Sequence, residues 1–183
     1  MATKVLVIVD VQNDFAKGGS LAYGYPKESN TDAIVAKAKE FIANGGIVIA
    51  TRDTHHENYL TTLEGQKLPI PHCMHQTYGW QLVPGLDKMV MSSEIAVVDK
   101  PTFGTSLVGQ FVREVIDKYG PVEEVDVCGY VTSICVLANC VMLRAYMPNQ
   151  KIVLLEGLCG DVDEESHKAA LKVLANQQIE ILR

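Results

Sequence analysis

Cys128-Gly129-Tyr130-Val131-Thr132-Ser133-Ile134-Cys135-Val136 is the stretch whose reading decides the fold. Just before it, Val125-Asp126-Val127-Cys128 reads as a short apolar strand. After it, residues 133–146 are almost continuously apolar and carry neither Gly nor Pro, as a buried helix would. Cys135 therefore falls in the first turn of a core helix, directly beyond the carboxyl end of a strand. Open parallel sheets place their ligands there. A thiol in that position meets the positive end of the helix dipole and unpaired backbone N–H groups, so a lowered pKa and a nucleophilic thiolate are expected. The competing reading of a lone Cys is one more small core hydrophobe.

The chain around this stretch has 183 residues, is 48% hydrophobic and 21% charged, and has a formal net charge of -6. That length suits one domain, residues 1–183, with a sizeable core. No cluster of Lys and Arg marks a nucleic-acid partner. The longest apolar runs, such as residues 5–9, are too short to span a bilayer. Met1-Ala2-Thr3-Lys4 leads straight into a strand and gives no signal peptide. Five Cys without regular spacing fit reduced thiols in a cytoplasm better than a disulfide scaffold.

Apolar strands alternate with helical patterns along the chain. Residues 4–9 form a run buried on both faces, ending at Asp10 and followed by Val11-Gln12-Asn13-Asp14-Phe15. A helix capped by Asn30 or Thr31 follows to about residue 43, stopped by Asn44-Gly45-Gly46. The second strand, 47–51, delivers Asp53-Thr54-His55. If extended backbone continues, Asp53 and His55 share a face while His56 points away. Residues 57–85 show no clear period and read as one long functional loop. Within it Glu64 and His72 are candidates to complete a ligand set with Asp53 and His55. Mixed imidazole and carboxylate donors suit Zn, Mn or Fe. Cys73 is a rival ligand without the paired Cys of structural zinc sites. His56 and His75 read as surface residues. The third strand, 95–98, ends near Lys100, and a helix follows to about residue 119. Residues 151–155 are the fifth strand, 157–161 a loop, then a helix over 163–176 and a last strand at 178–182. This alternation predicts a three-layer α/β/α fold with a mostly parallel sheet of about six strands, Rossmann-like in layout.

Several of these residues together resemble the isochorismatase-like cysteine hydrolases, and within them the nicotinamidases (pyrazinamidases). The resemblance rests on Asp10 with Phe15; Asp53-Thr54-His55; Pro71-His72-Cys73 with Thr77 and Gly79; Lys100 with Gly104 and Thr105; and Gly129 to Val136, all in family order. It implies that Asp10, Lys100 and Cys135 are the catalytic triad of a carboxamide hydrolase working through a cysteine acyl-enzyme. It implies a cis peptide at Tyr130-Val131, aiming the N–H groups of Val131 and Cys135 at the oxyanion. Asp53, His55 and His72 map onto the metal ligands, and Glu64 is the candidate for a fourth that varies between members. The ion is Zn first, with Mn or Fe as alternatives, and it orients the pyridine ring. Nicotinamide, or pyrazinamide, is then the small-molecule substrate, in pyridine nucleotide salvage, and the enzyme is a cytoplasmic homo-oligomer. Two departures stand out. Ser133 replaces an Asp found in many relatives. Leu68-Pro69-Ile70 lacks the aromatic that often precedes the Pro-His pair, so the substrate ring is expected on Phe15, Phe103 or Tyr130.

Three rivals are weaker. A hydrolase of N-carbamoyl or ureido compounds on the same scaffold would generally lack the metal set. A vinyl-ether-cleaving isochorismatase does not need the nucleophilic Cys. A non-catalytic binding module has no use for Asp10 and Lys100 beside the thiol. A dinucleotide-binding oxidoreductase is excluded, since no Gly-x-Gly-x-x-Gly follows the first strand.

Overall fold

Val5 to Val9 have no exposed surface on either side, because the strand they form lies mid-sheet with both faces covered. The computed structural model describes residues 3–183; the Met1-Ala2 start on which the signal-peptide reading leans lies outside them. In chain order the elements are β1 (Thr3–Val9), α1 (Thr31–Ala43), β2 (Ile47–Asp53), α2 (Leu63–Lys67), α3 (Pro84–Met91) and β3 (Ala96–Lys100). They continue with α4 (Ser106–Tyr119), β4 (Val122–Tyr130), α5 (Leu137–Tyr146), β5 (Ile152–Gly160), α6 (Glu164–Asn176) and β6 (Glu180–Leu182). A 3₁₀ turn, Tyr59–Thr61, precedes α2, and a π-helical turn, Thr132–Val136, leads into α5.

The six strands form one sheet in the order β3-β2-β1-β4-β5-β6, with every adjacent pair parallel. The chain moves outward from β1 through β2 to β3, then crosses back to β4 and moves outward the other way. Right-handed crossovers of opposite travel put their helices on opposite faces. So α1 and α3 pack together on one face, and α4, α5 and α6 in succession on the other. The order reverses between β1 and β4, and the crevice beyond their carboxyl ends is the topological switch point. At that seam Gly129 has φ +122, and a Cβ there would lie 2.1 Å from the Val9 carbonyl oxygen. Only glycine lets β4 run this close to β1. Among the described residues no helix is long and apolar enough to cross a membrane.

Two stretches of secondary structure differ in kind from the sequence reading. The stretch 57–85 is not one loop: it holds the 3₁₀ turn, α2 and α3. Pro84 is the first residue of α3, a position where its missing N–H costs nothing, so it starts a helix instead of breaking one. The fifth strand does not stop at residue 155. It runs to Gly160, with an irregular register in which Val127 pairs with Leu154 and Gly129 with Cys159. The extra residues around Glu156-Gly157 bulge out of the ladder, which is why they read as a loop.

Candidate active site and metal centre

Asp10 leaves the end of β1 with φ 50, a left-handed backbone that Asp tolerates better than most side chains. It is fully buried. Thr51, on the neighbouring β2, donates its hydroxyl to Asp10 Oδ1 at 2.6 Å. Lys100 comes from the edge strand β3 and reaches beneath the end of β2, where its Nζ lies 2.6 Å from Asp10 Oδ2. The same nitrogen is 3.7 Å from Cys135 Sγ and donates to the Thr102 carbonyl at 3.0 Å. Three side chains from three strand ends thus meet at the switch point.

Cys135 lies in the π-helical turn, and only 6% of it is exposed. The Tyr130-Val131 peptide before that turn is cis, as the resemblance implies. The Val131 carbonyl accepts the N–H groups of Ile134 and Val136 and passes over that of Cys135. Among the described residues nothing accepts the Val131 N–H. The Val131 N–H therefore stays free at the start of the turn, as one donor of an oxyanion site would need to.

The expected depression of the thiol pKa is corrected by the structure. Burial pushes the Cys135 thiol well up, the Asp10 charge adds to this, and the Lys100 ammonium opposes it. Desolvation outweighs the helix terminus because almost no water reaches the sulfur. Burial also raises the Asp10 carboxyl, against the pull of Lys100. Burial works against the Lys100 ammonium, but the Asp10 and Asp53 carboxyls around it outweigh that and hold it charged. The arrangement sets a protonated thiol, a buried acidic side chain and a fixed cation in one cluster.

Next to this cluster, Asp53, His55, Glu64 and His72 offer four donor atoms that all lie within 4.8 Å of one another. His55 Nε2 is 2.9 Å from Asp53 Oδ2 and 3.6 Å from Glu64 Oε1, while His72 Nε2 is 3.4 and 3.7 Å from the same two atoms. Ligands at zinc-bond length around a tetrahedral ion would lie about 3.3 Å apart. His72 Nδ1 donates to the Ile70 carbonyl at 2.8 Å, leaving its Nε2 lone pair facing the group. His55 Nε2 is buried without a hydrogen-bond partner. An orphaned imidazole nitrogen aimed at two carboxylates and a second imidazole fits a divalent transition metal. Burial opposes charge on Asp53, but the His55 and His72 imidazoles beside it and the Lys100 ammonium hold its carboxyl well below the usual range. Burial, with Asp53 beside it, raises Glu64.

Supporting residues that the sequence reading did not single out fix this geometry. Gln12, fully buried, accepts the Asp53 N–H at 2.7 Å and donates to the Asp53 and Trp80 carbonyls at 2.9 and 2.8 Å. Its signal was its place: two residues past Asp10 at a strand end. Tyr59 lies 4.6 Å from the His55 ring and edge-on to His72, with its hydroxyl donated to the Leu68 carbonyl. Asn139 donates to the carbonyls of Cys135 and Phe103 and accepts the Thr105 N–H. It clips the loop after β3 to the nucleophile helix.

The residues expected to hold a substrate ring separate. Phe15 lies 5.5 Å from the His72 ring, beside the four-donor group. Phe103 stands on the loop after β3 and is half-exposed. Tyr130 is placed differently from the expectation. It has no exposed surface, its ring packs 4.6 Å from Tyr23, and its hydroxyl donates to Asn30. A ring so enclosed has no free face for a ligand. His56 and His75 are exposed, as read from the sequence. Cys73 is buried outside the four-donor group, and all five cysteines are free.

With this geometry in hand, comparison with known proteins is informative. The isochorismatase domain family matches residues 4–183. An isochorismatase family protein of Bacillus subtilis is 31% identical over 182 residues, 94% of each chain. The nicotinamidase/pyrazinamidase of Mycobacterium tuberculosis is 31% identical over 149 residues, 73% of this chain and 74% of its own. A crystal structure of a nicotinamidase/pyrazinamidase from Bacillus subtilis superimposes with a TM-score of 0.82 and 27% identity, covering 100% of both chains.

Proposed function

The chain belongs to the isochorismatase family, and on that premise we propose that it is a metal-dependent nicotinamidase, hydrolysing nicotinamide to nicotinic acid and ammonia and pyrazinamide to pyrazinoic acid. One observation carries this reading. The Lys100 ammonium lies 3.7 Å from Cys135 Sγ and 3.9 Å from Asp53 Oδ1, so the nucleophile and the four-donor group border one small space. A molecule with a ring nitrogen at one end and a carboxamide at the other addresses both.

In this reading the Cys135 sulfur attacks the carboxamide carbon while Asp10 takes the thiol proton. The Val131 and Cys135 N–H groups receive the developing oxyanion, a contact worth roughly 2.7–4 kcal/mol per donor. Asp10 then gives its proton to the departing nitrogen, ammonia leaves, and a thioester remains on Cys135. Asp10 next takes a proton from water, which attacks the thioester and releases the acid and the thiol. Lys100 keeps Asp10 oriented and offsets negative charge through each step. Phe15, and Phe103 from the opposite loop, confine the ring. A divalent ion held by Asp53, His55, Glu64 and His72 supplies, when bound, a Lewis-acid anchor for the ring nitrogen. Two imidazoles and two carboxylates suit Zn first, then Mn or Fe. Five free cysteines support a reducing cytoplasm, where the product would enter pyridine nucleotide salvage, and we assign the enzyme a homo-oligomeric state to be read from its size in solution.

The test is ammonia release from nicotinamide by the purified protein, before and after chelation and metal add-back. Release that disappears with the metal and returns with Zn, Mn or Fe supports the whole assignment. Release indifferent to metal removes Asp53, His55, Glu64 and His72 from it. No release under any metal shifts the substrate to another amide, such as an N-carbamoyl compound.

A further inference from the structure

The turn that carries Cys135 is gripped from a corner of the fold that the reaction above does not use. Asp161, fully buried, immediately follows β5. Its Oδ2 accepts the Ser133 backbone N–H at 2.8 Å, and its Oδ1 accepts the Ser133 hydroxyl and the Val162 N–H, each at 2.7 Å. Its backbone is pinned as well. The Asp161 N–H donates to the Tyr25 carbonyl at 2.7 Å, and its carbonyl accepts the N–H groups of Gly24 and Tyr25 at 2.9 Å. One residue earlier, the Gly160 carbonyl accepts the Thr132 hydroxyl at 3.1 Å. Thr132 Oγ1 also lies 2.9 Å from His167 Nδ1. With the Thr132 proton spent on Gly160, Nδ1 is the protonated nitrogen of His167 and donates to Thr132. His167 itself is 3% exposed and packs against the Tyr25 ring.

Thr132 and Ser133 are consecutive, and they lie between Val131 and Cys135, the two residues whose N–H groups receive the oxyanion in the reading above. Both carboxylate oxygens of Asp161 accept hydrogen bonds from local donors, so its visible work is to hold the turn. Electrostatics alone argue against a carboxylate here, since negative charge at the start of the turn competes for the dipole that would favour a thiolate. What Asp161 contributes is geometry.

We propose that Asp161, backed by His167, is a positioning residue which, through Ser133 and Thr132, fixes the turn that presents the Cys135 thiol and the Val131 and Cys135 N–H groups to substrate. The proposal rests on the nicotinamidase reading for its substrate. The experiment measures kcat, KM and metal content for nicotinamide hydrolysis by metal-loaded Asp161→Ala, Asp161→Asn, Ser133→Ala and the Ser133→Ala/Asp161→Ala pair. Displacing an oxyanion site by a fraction of an ångström is costly, so Asp161→Ala should lose about 30–100-fold in kcat with KM and metal content little changed. Asp161→Asn keeps the shape and one acceptor and should recover part of that loss. Ser133→Ala, which leaves the backbone link intact, should lose about 3–10-fold. The double variant should be no slower than Asp161→Ala, because both changes cut one path. Wild-type kcat in Asp161→Ala, or a loss confined to KM or metal content, overturns the proposal. If Asp161→Ala does not fold, Ser133→Ala decides alone, and an unchanged kcat overturns it. A wild-type protein inert on nicotinamide sinks the substrate assignment instead. Positioning is then read from iodoacetamide labelling of Cys135, mapped by mass spectrometry. Labelling should slow about threefold or more in the charge-neutral Ser133→Ala variant, and an equal rate overturns the claim.

Discussion

Lys100→Met is the sharpest perturbation of this site, because the change keeps most of the side-chain volume and removes only the charge. Lys100 is 1% exposed, with Nζ 2.6 Å from Asp10 Oδ2 and 3.9 Å from Asp53 Oδ1. Methionine leaves Asp10 fully buried with Thr51 as its one side-chain hydrogen-bond donor. Removing one partner of a buried ion pair typically costs about 3–5 kcal/mol, mostly as the penalty of the orphaned charge. For a chain of this size each kcal/mol lowers Tm by roughly 2–4 °C, so a fall of about 6–20 °C is expected at pH 7. The pH dependence separates orphaned charge from poor packing. Without Lys100 the folded pKa of Asp10 rises further above its unfolded value near 3.9. A group raised in the folded state contributes stability that is present below the unfolded pKa and lost as pH rises through the folded one. The deficit of the variant should therefore shrink between pH 7 and pH 5, as calorimetry would show on protein treated identically with metal. A deficit equal at both pH values would mean lost packing and would refute the charge argument, as would an unchanged Tm.

Cys135→Ala should abolish ammonia release with Tm little changed, since the side chain is small; turnover at the wild-type rate would refute the nucleophile assignment. His72→Ala should lose about 10-fold or more in metal affinity and raise KM more than it lowers kcat, read by metal analysis and steady-state kinetics. Asp126 is buried on β4 with Oδ1 unpartnered, and burial pushes its carboxyl up to about 6. A carboxyl raised in the folded state destabilises above its folded pKa and has no effect below its unfolded one. Asp126→Asn should thus stabilise the protein at pH 7.5 by about 1–2 kcal/mol after solvent screening and by much less at pH 4, read from denaturant midpoints.

What the sequence displays best is whatever a single strand end dictates. Asp10, Asp53 and Lys100 each close an apolar run, and Cys135 opens a Gly-free one, so their shared edge follows from counting strands and helices. The four-donor group is half legible on the same grounds. Asp53 and His55 share a face by strand period, but Glu64 and His72 arrive from a region whose short helices have no long period to detect. Tyr130 was misplaced because sequence gives its address but not its rotamer: the strand end delivers the backbone, and Asn30 and Tyr23 capture the ring. The thiol pKa failed for a related reason. A helix terminus can be read locally, whereas the depth of burial that outweighs it comes from the whole fold. Gln12 and Asp161 were invisible as site residues because each acts through backbone groups far away in the chain.

The charges around Lys100 explain why two sites must be one. Asp10, Asp53 and Glu64 bring three carboxylates to this space, while Lys100 contributes a single fixed cation and Cys135 a protonated thiol. With both imidazoles neutral the cluster carries two uncompensated negative charges, an arrangement too costly to bury unpaired. A divalent cation balances that count, whereas a monovalent one leaves a deficit and a trivalent one an excess. The same count gives the direction of a linkage. At lower pH protons on His72 or Glu64, both raised by their surroundings, supply the balancing charge, so metal binding must displace them. Metal affinity measured by competition with a chelator should therefore weaken as pH falls from 8 to 6, with proton release on binding. An affinity flat across that range would mean that the four donors do not hold the ion, and the ring nitrogen of the substrate would have lost its anchor.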